Sequence, residues 1–203
     1  GLTDQFIFGI LRDSKNRFWV GSKNNGLFKY EKRKFQRQPD VKAKTVNAIF
    51  EHGNGLLWIG TSQGLILHNG DHVVKTADTT GIFKRAVNCF YKDSQNNIWI
   101  GGTNEVYKHD GKKFIPYSIK GKVEKADVWS IVEDHDGTIW VGTYLGGLLR
   151  YENDKFIECS GELGLKSDSY LTSLIDKEGF IYWGTLDGVY MFNPQNKQLV
   201  QFS

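Results

Sequence analysis

Residues 128–151 read Val-Trp-Ser-Ile-Val-Glu-Asp-His-Asp-Gly-Thr-Ile-Trp-Val-Gly-Thr-Tyr-Leu-Gly-Gly-Leu-Leu-Arg-Tyr. The centre of the stretch, Ile139-Trp140-Val141-Gly142-Thr143, returns as Phe18-Trp19-Val20-Gly21-Ser22, Leu57-Trp58-Ile59-Gly60-Thr61 and Ile98-Trp99-Ile100-Gly101-Gly102. An altered copy is Ile181-Tyr182-Trp183-Gly184-Thr185. The aromatics Trp19, Trp58, Trp99, Trp140 and Tyr182 follow one another at steps of 39, 41, 41 and 42 residues. A nearly fixed step of this size marks a repeat architecture, in which each copy buries its apolar face against the next.

Within one copy the periodicity is two. Val128–Glu133, Thr138–Thr143, Gly147–Tyr151 and Lys155–Glu158 are short runs rich in β-branched and aromatic residues, parted by turn residues. Asp134-His135-Asp136-Gly137 joins the first two runs as a hairpin turn, with counterparts at Asp13–Asn16, His52–Gly55, Asp93–Asn96 and, read as one residue shorter, Lys177–Gly179. Asn and Gly supply the positive φ that tight hairpins need. These acidic turns lack the full ligand series of a calcium loop, and turn chemistry accounts for them. The third run opens with Gly26, Gly64, Gly147 and Gly188, whereas the third copy has Glu105 there. The fourth run is the most polar and carries Lys34, Lys113, Lys155 and Pro116, as an outer edge strand does.

Four antiparallel strands repeated at this step make β-propeller blades, so the expected fold is all-β, with five four-stranded blades in a single domain over residues 1–203. The blades fall near 1–40, 41–80, 81–122, 123–163 and 164–203. Aligned first strands give a row of small residues, Gly9, Ala48, Cys89, Ser130 and Ser173, as crowding at the inner end of a blade demands. Trp19, Trp58, Trp99, Trp140 and Tyr182 are expected to form the structural core on one side of each blade. Val20, Ile59, Ile100, Val141 and Trp183 are expected to face the neighbour on the other side. Five blades form either a complete ring or part of a larger one. With all four strands of each blade drawn from one repeat, no strand is exchanged between termini, which favours the part.

The remaining composition excludes several function classes. The 203 residues include 13 Phe, 9 Tyr and 6 Trp, ample for a large core. A net charge of +3 is spread over scattered Lys and Arg, with no basic stripe of the kind that nucleic acid binding leaves. No apolar run is long enough to span a bilayer, so no direct membrane insertion is expected. No stretch reads as a signal peptide, and the start at Gly1-Leu2 reads as a mature or trimmed end. Cys89 and Cys159, far apart among strand residues, read as small core side chains and not as a metal or redox pair.

The string Asp-x-x-Gly-x-Ile-Trp-Val-Gly-Thr followed by Gly-Gly-Leu-x-Arg-Tyr resembles the two-component regulator propeller repeat, and the resemblance covers nearly the whole chain in five copies. Gly1-Leu2-Thr3-Asp4 and Gly164-Leu165-Lys166-Ser167-Asp168 resemble that family's linker between blades. A tryptophan-aspartate repeat fits less well, because no Trp-Asp dipeptide closes a blade. The resemblance implies a periplasmic sensor of the kind found in Bacteroidetes hybrid two-component systems, in which the larger ring would be seven-bladed. Such a sensor binds a glycan breakdown product and signals through a membrane helix to a kinase.

No nucleophile motif, paired carboxylates, phosphate loop or metal-ligand spacing stands out, so neither a catalytic residue nor a cofactor is expected. His52, His68, His72, His109 and His135 read as exposed, with His68 and His109 at matching repeat positions. Binding residues are expected on the loops that lead into each inner strand (40–44, 78–85, 120–127 and 160–170) and on the loops between second and third strands. One register looks most informative: Phe8, Asn47, Asn88, Trp129 and Thr172, one residue before the small row. Aromatic faces with amides suit a sugar ring. Trp129 and Tyr144 lead the candidates, followed by Asn47, Asn88, Phe8, Asn25, Gln63, Asn104, Arg85 and Asp187. The expected function is therefore a non-catalytic extracytoplasmic sensor for an oligosaccharide. The alternatives are a propeller enzyme of the streptogramin-lyase kind, or a protein–protein scaffold that partners a second copy or further domains of the same sensor.

Overall fold

The computed structural model describes residues 2, 4–74, 81–123 and 125–202, and of Phe83 the backbone only. Of the linker and loop residues named above, Gly1, Thr3, Asp78, Thr79, Thr80 and Glu124 lie outside the described residues, as do positions 75–80 of the expected second blade. The chain divides into two compact units, Gly1–Cys89 and Phe90–Ser203.

The described residues form five four-stranded antiparallel sheets, each built from consecutive strands. The first comprises β1 (Ile7–Arg12), β2 (Phe18–Ser22), β3 (Leu27–Glu31) and β4 (Lys34–Arg37). The second comprises β5 (Val46–Glu51), β6 (Leu57–Thr61), β7 (Gly64–His68) and β8 (Val73–Val74). A 3-10 turn at Ile82–Lys84 precedes the third sheet: β9 (Val87–Lys92), β10 (Ile98–Gly102), β11 (Glu105–His109) and β12 (Phe114–Ser118). The fourth holds β13 (Asp127–Glu133), β14 (Ile139–Tyr144), β15 (Leu148–Glu152) and β16 (Lys155–Glu158). The fifth holds β17 (Tyr170–Ile175), β18 (Ile181–Thr185), β19 (Gly188–Phe192) and β20 (Leu199–Phe202). These are propeller blades, with the strand order that the repeat predicts.

Each unit has its core between adjacent sheets. In the first unit Trp19 and Leu27 meet Val46, Leu57 and Ile59 of the next sheet. In the second, Trp140 packs edge-on against Trp183 at 5.9 Å and against Phe192 at 5.7 Å. Trp99 meets Tyr151 edge-on at 5.0 Å. The two rows of the second strand thus face opposite sides of their blade, with Trp19, Trp58, Trp99 and Trp140 all buried. Tyr182 departs from the expected core row. It is half-buried.

The Trp row is also tied to its own hairpin. Asp13 Oδ2 accepts the Trp19 indole N–H at 2.8 Å, as Asp93 does from Trp99 and Asp134 from Trp140. The other carboxylate oxygen accepts two backbone N–H groups of the turn, Lys15 and Arg17 for Asp13 and Asp136 and Thr138 for Asp134. These acceptor sites are filled by the chain's own donors. In the second repeat His52 holds the place and stacks on Trp58 at 4.4 Å. In the fifth, Asp176 accepts from Phe180 N, and a hydrogen bond to Asp176 raises the Tyr182 phenol above its ordinary 10.0.

That last tie corrects the reading of the fifth repeat. Its turn runs Asp176–Gly179, with Gly179 N bonded to Asp176 O and Asp176 N to Phe180 O. It has the same length as the Asp134–Gly137 turn and is not one residue shorter. The small row therefore ends on Thr172, which pairs with Gly184, and not on Ser173. Gly21 and Gly142 of the Trp-x-Gly motif answer to close approach. A Cβ on Gly142 would lie 2.3 Å from Ser130 Oγ and 2.7 Å from Tyr170 Cβ of the following inner strand.

Adjacent blades are also stapled by carboxylates. Glu51 accepts from Ser14 N (2.8 Å) and Oγ (2.6 Å), and Glu133 accepts from Ser94 N (2.7 Å) and Oγ (2.8 Å). The histidines need a further correction. His68 and His109 are buried, not exposed. Each accepts through Nδ1 a backbone N–H from the glycine two residues on, Gly70 at 2.9 Å and Gly111 at 3.3 Å. His68 Nε2 lies 3.2 Å from Asp40 Oδ2, and burial lowers its pKa below 6.5. Their matched positions are repeat structure. Cys159 is buried and Cys89 half-buried, and neither is in a disulfide. Burial pushes Cys159 up to about 12.

Candidate functional site

The register one residue before the small row is a β-bulge. On β13, Val128 pairs with Thr143 and Ser130 with Gly142, so Trp129 has no ladder partner. The same slip leaves Phe8, Asn47 and Leu171 unpaired on β1, β5 and β17. A bulge adds one residue to one strand and re-aims its side chain. Repeated in these four blades, it turns one side chain per inner strand out of the sheet alternation. The fifth member of the row is Leu171, which replaces the expected Thr172 for the reason given above.

In the second unit this register opens on a cavity of about 400 Å³ lined by Asp127, Trp129, Tyr144 and Leu171. Tyr144 and Leu171 are 41% and 36% exposed, large values for such side chains, and Trp129 is half-buried. Two aromatic rings and a leucine give flat apolar walls, and Asp127 brings a carboxylate to the rim. The volume lies within the range of small-ligand sites.

The rim is held by the loop before β11. The Thr103 hydroxyl donates to Asp127 Oδ1, Asn104 N donates to Ala126 O at 2.9 Å, and Asn104 Oδ1 accepts from Ala126 N at 2.6 Å. The Asn104 side chain thus braces the segment that carries Asp127. The structure brings Trp129 and Tyr144 together and adds Asp127 and Leu171, which the sequence reading had not singled out. Asp127 had appeared only as the end of a loop. Its place two residues before a bulged aromatic is the signal that marks it.

The other candidates are placed differently. Asn47 and Asn88 are buried, and Asn47 Nδ2 donates to Asn88 Oδ1 at 3.0 Å and to Val87 O at 3.1 Å. They join two inner strands of the first unit. Phe8 is exposed in that same unit. Gln63 lines a separate cavity of about 200 Å³ with Lys42, Ala43, Thr61, Gly64 and Ile66. Asn25 is bonded through its backbone, to Ser22 Oγ and to the Arg37 guanidinium. Arg85 is exposed beside the 3-10 turn. Asp187 is exposed, its N–H bonded to Thr185 Oγ1 and its carbonyl to Gln201. Among the described residues, no group of three or more His, Cys, Asp or Glu is placed to hold a metal ion. No helix among them is long and apolar enough to cross a membrane.

The family described as two component regulator propeller matches residues 1–24, 40–63, 81–104 and 124–145, each match ending in or just after the second strand of a blade. The chain is similar to that family over these four stretches. Its fold is similar to the extracellular domains of two putative hybrid two-component systems from B. thetaiotaomicron. One has a TM-score of 0.81 and 21% identity, over 100% of this chain and 29% of that one. The other has a TM-score of 0.79 and 23% identity, over 99% and 28%. The chain therefore spans under a third of each of those domains. It is also similar in fold to virginiamycin B lyase from Staphylococcus aureus, with a TM-score of 0.71 and 14% identity, over 100% of this chain and 72% of the lyase. No curated protein matches the chain.

Proposed function

We propose that the chain is a ligand-binding part of an extracytoplasmic sensor in a two-component system, and that it takes an oligosaccharide at the Trp129–Tyr144 cavity. One observation carries the reading. The repeat aims its bulged residue out of the sheet, and in the fourth blade that residue is a tryptophan facing an exposed tyrosine across an open cavity of about 400 Å³. Pyranose rings present apolar C–H faces that stack on aromatic rings, and their edges carry hydroxyls. Asp127 supplies an acceptor for those hydroxyls, and Leu171 extends the apolar wall. The likeness to extracellular sensor domains supports an extracytoplasmic setting. Binding here is recognition without bond cleavage, with the occupied cavity biasing the packing of the fourth and fifth blades.

Calorimetric titration with a panel of plant and host glycan fragments tests the proposal. At least one fragment is expected to bind, with affinity reduced about tenfold or more by Trp129→Ala, the size of effect that losing one buried aromatic contact produces. A panel that gives no heat with the wild-type protein, or a fragment whose affinity ignores both Trp129 and Tyr144, overturns it.

A further inference from the structure

We infer that the cavity selects a positively charged group, so that the favoured saccharide carries a free amine. The inference rests on the oligosaccharide reading above and narrows it. The carboxylate at the rim is the feature to explain. Asp127 accepts one hydrogen bond, at Oδ1 from the Thr103 hydroxyl, and Oδ2 takes none from the described residues. No Lys or Arg among them comes within ion-pair distance of it. The nearby Lys122 is engaged elsewhere, with Asp168 at 2.6 Å. Lys125, two residues before Asp127 in the chain, is exposed.

An anionic carboxylate that shares a cavity with the rings of Trp129 and Tyr144 makes a cation site of simple chemistry. The ring faces carry negative quadrupole density, and a cation over them within about 6 Å is attracted, the more so when partly desolvated. The carboxylate adds a direct ion pair and an acceptor for the ammonium N–H groups. Leu171 closes the remaining wall without supplying a competing donor. The same walls disfavour a uronic acid, whose carboxylate would meet Asp127 with like charge. An N-acetylated sugar keeps the stacking face but loses the charge, and a neutral glucan has only the stacking face.

The test is a matched titration series on the wild-type chain: a β-1,4-glucosamine oligomer, its fully N-acetylated counterpart, a cello-oligosaccharide of the same length and a uronic-acid oligomer. The free-amine oligomer is expected to bind about tenfold more tightly than the neutral ones, as a cation–π contact plus an ion pair imply. That preference should fall with added salt, as Debye screening requires. Asp127→Asn keeps an acceptor for Thr103 and so keeps the rim. It should erase the preference, bringing the amine and neutral oligomers to equal affinity. Equal affinity for the amine and neutral oligomers sinks the charge inference and leaves the oligosaccharide reading standing. Binding of choline or a simple alkylamine, lost in Asp127→Asn, with no binding of any saccharide, upholds the cation site and overturns the saccharide reading. Tighter binding of the uronic-acid oligomer, or silence across the whole series and the amines, overturns the inference outright.

Discussion

Two tryptophans in one hairpin divide the labour of the fourth blade. Trp140, on β14, is buried against Trp183 and Phe192, and its indole N–H is held by Asp134. Trp129, on β13, stands at a bulge without a ladder partner and lines an open cavity. The first belongs to a row that the repeat keeps aromatic in every blade. The second belongs to a row that reads Phe8, Asn47, Asn88, Trp129 and Leu171. A position that packs blade on blade meets the same neighbour each time and so keeps its chemistry. A position that the bulge frees from packing can vary from blade to blade, and variation there is what a binding surface requires.

The largest expected effect falls on the wall. Trp140→Ala removes a fully packed ring from between two sheets and leaves a cavity, which should cost about 3–5 kcal/mol. Urea unfolding followed by tryptophan fluorescence reads it as a large fall in midpoint. A loss below about 1 kcal/mol would show that the interface collapses around the gap and that the row is not the main hold between blades.

Acid attacks the same row through its ties. Burial by itself would raise the Asp13 carboxyl, but the Trp19 indole, the Arg17 backbone N–H and the Arg17 guanidinium outweigh it and hold the group below its ordinary 3.8. A carboxyl depressed in the folded state stabilises above its unfolded pKa, and that contribution is lost as pH falls through the lower folded value. Stability should therefore drop as pH falls below about 4, and Asp13→Asn should make that acid limb shallower while lowering stability at neutral pH. Unfolding midpoints measured from about pH 5 to pH 2 check both. An acid limb unchanged by Asp13→Asn would assign the loss to other carboxylates.

How much of this is legible in the sequence follows from what repetition preserves. The step of the Trp-x-Gly motif gives blades, strand order and the buried row, because those features recur without change. The bulge recurs too, and for that reason it is invisible. When first strands carry the same extra residue, as β1, β5, β13 and β17 do, aligning them absorbs it, and the row before the small residues looks like ordinary alternation. The fifth repeat shows the limit from the other side. Reading Asp176 as the last strand residue shortened the turn by one and moved the row from Leu171 to Thr172. The constant six-residue spacing from Asp13 to Trp19, Asp93 to Trp99, Asp134 to Trp140 and Asp176 to Tyr182 would have fixed that register. The burial of His68 and His109 follows from the glycine two residues after each, whose N–H the ring accepts. That is a local signal weaker than the polar look of the segment.

The smallest expected stability effect bears hardest on the comparison. Trp129 is as large as Trp140, so a count of apolar atoms would assign both truncations a similar cost. The environment argues otherwise. Trp129 is half-buried beside an open cavity, and the bulge that presents it is set by the Val128–Thr143 and Ser130–Gly142 pairs, none of which needs the indole. Its removal enlarges a space that water already reaches and creates no sealed void, so the term that dominates at Trp140 is missing. Trp129→Ala should shift stability by about 1 kcal/mol or less, with an unchanged denaturant slope, while weakening ligand binding about tenfold or more. Equal losses of stability for Trp129→Ala and Trp140→Ala would make both residues wall, and the division of labour within the hairpin would fail.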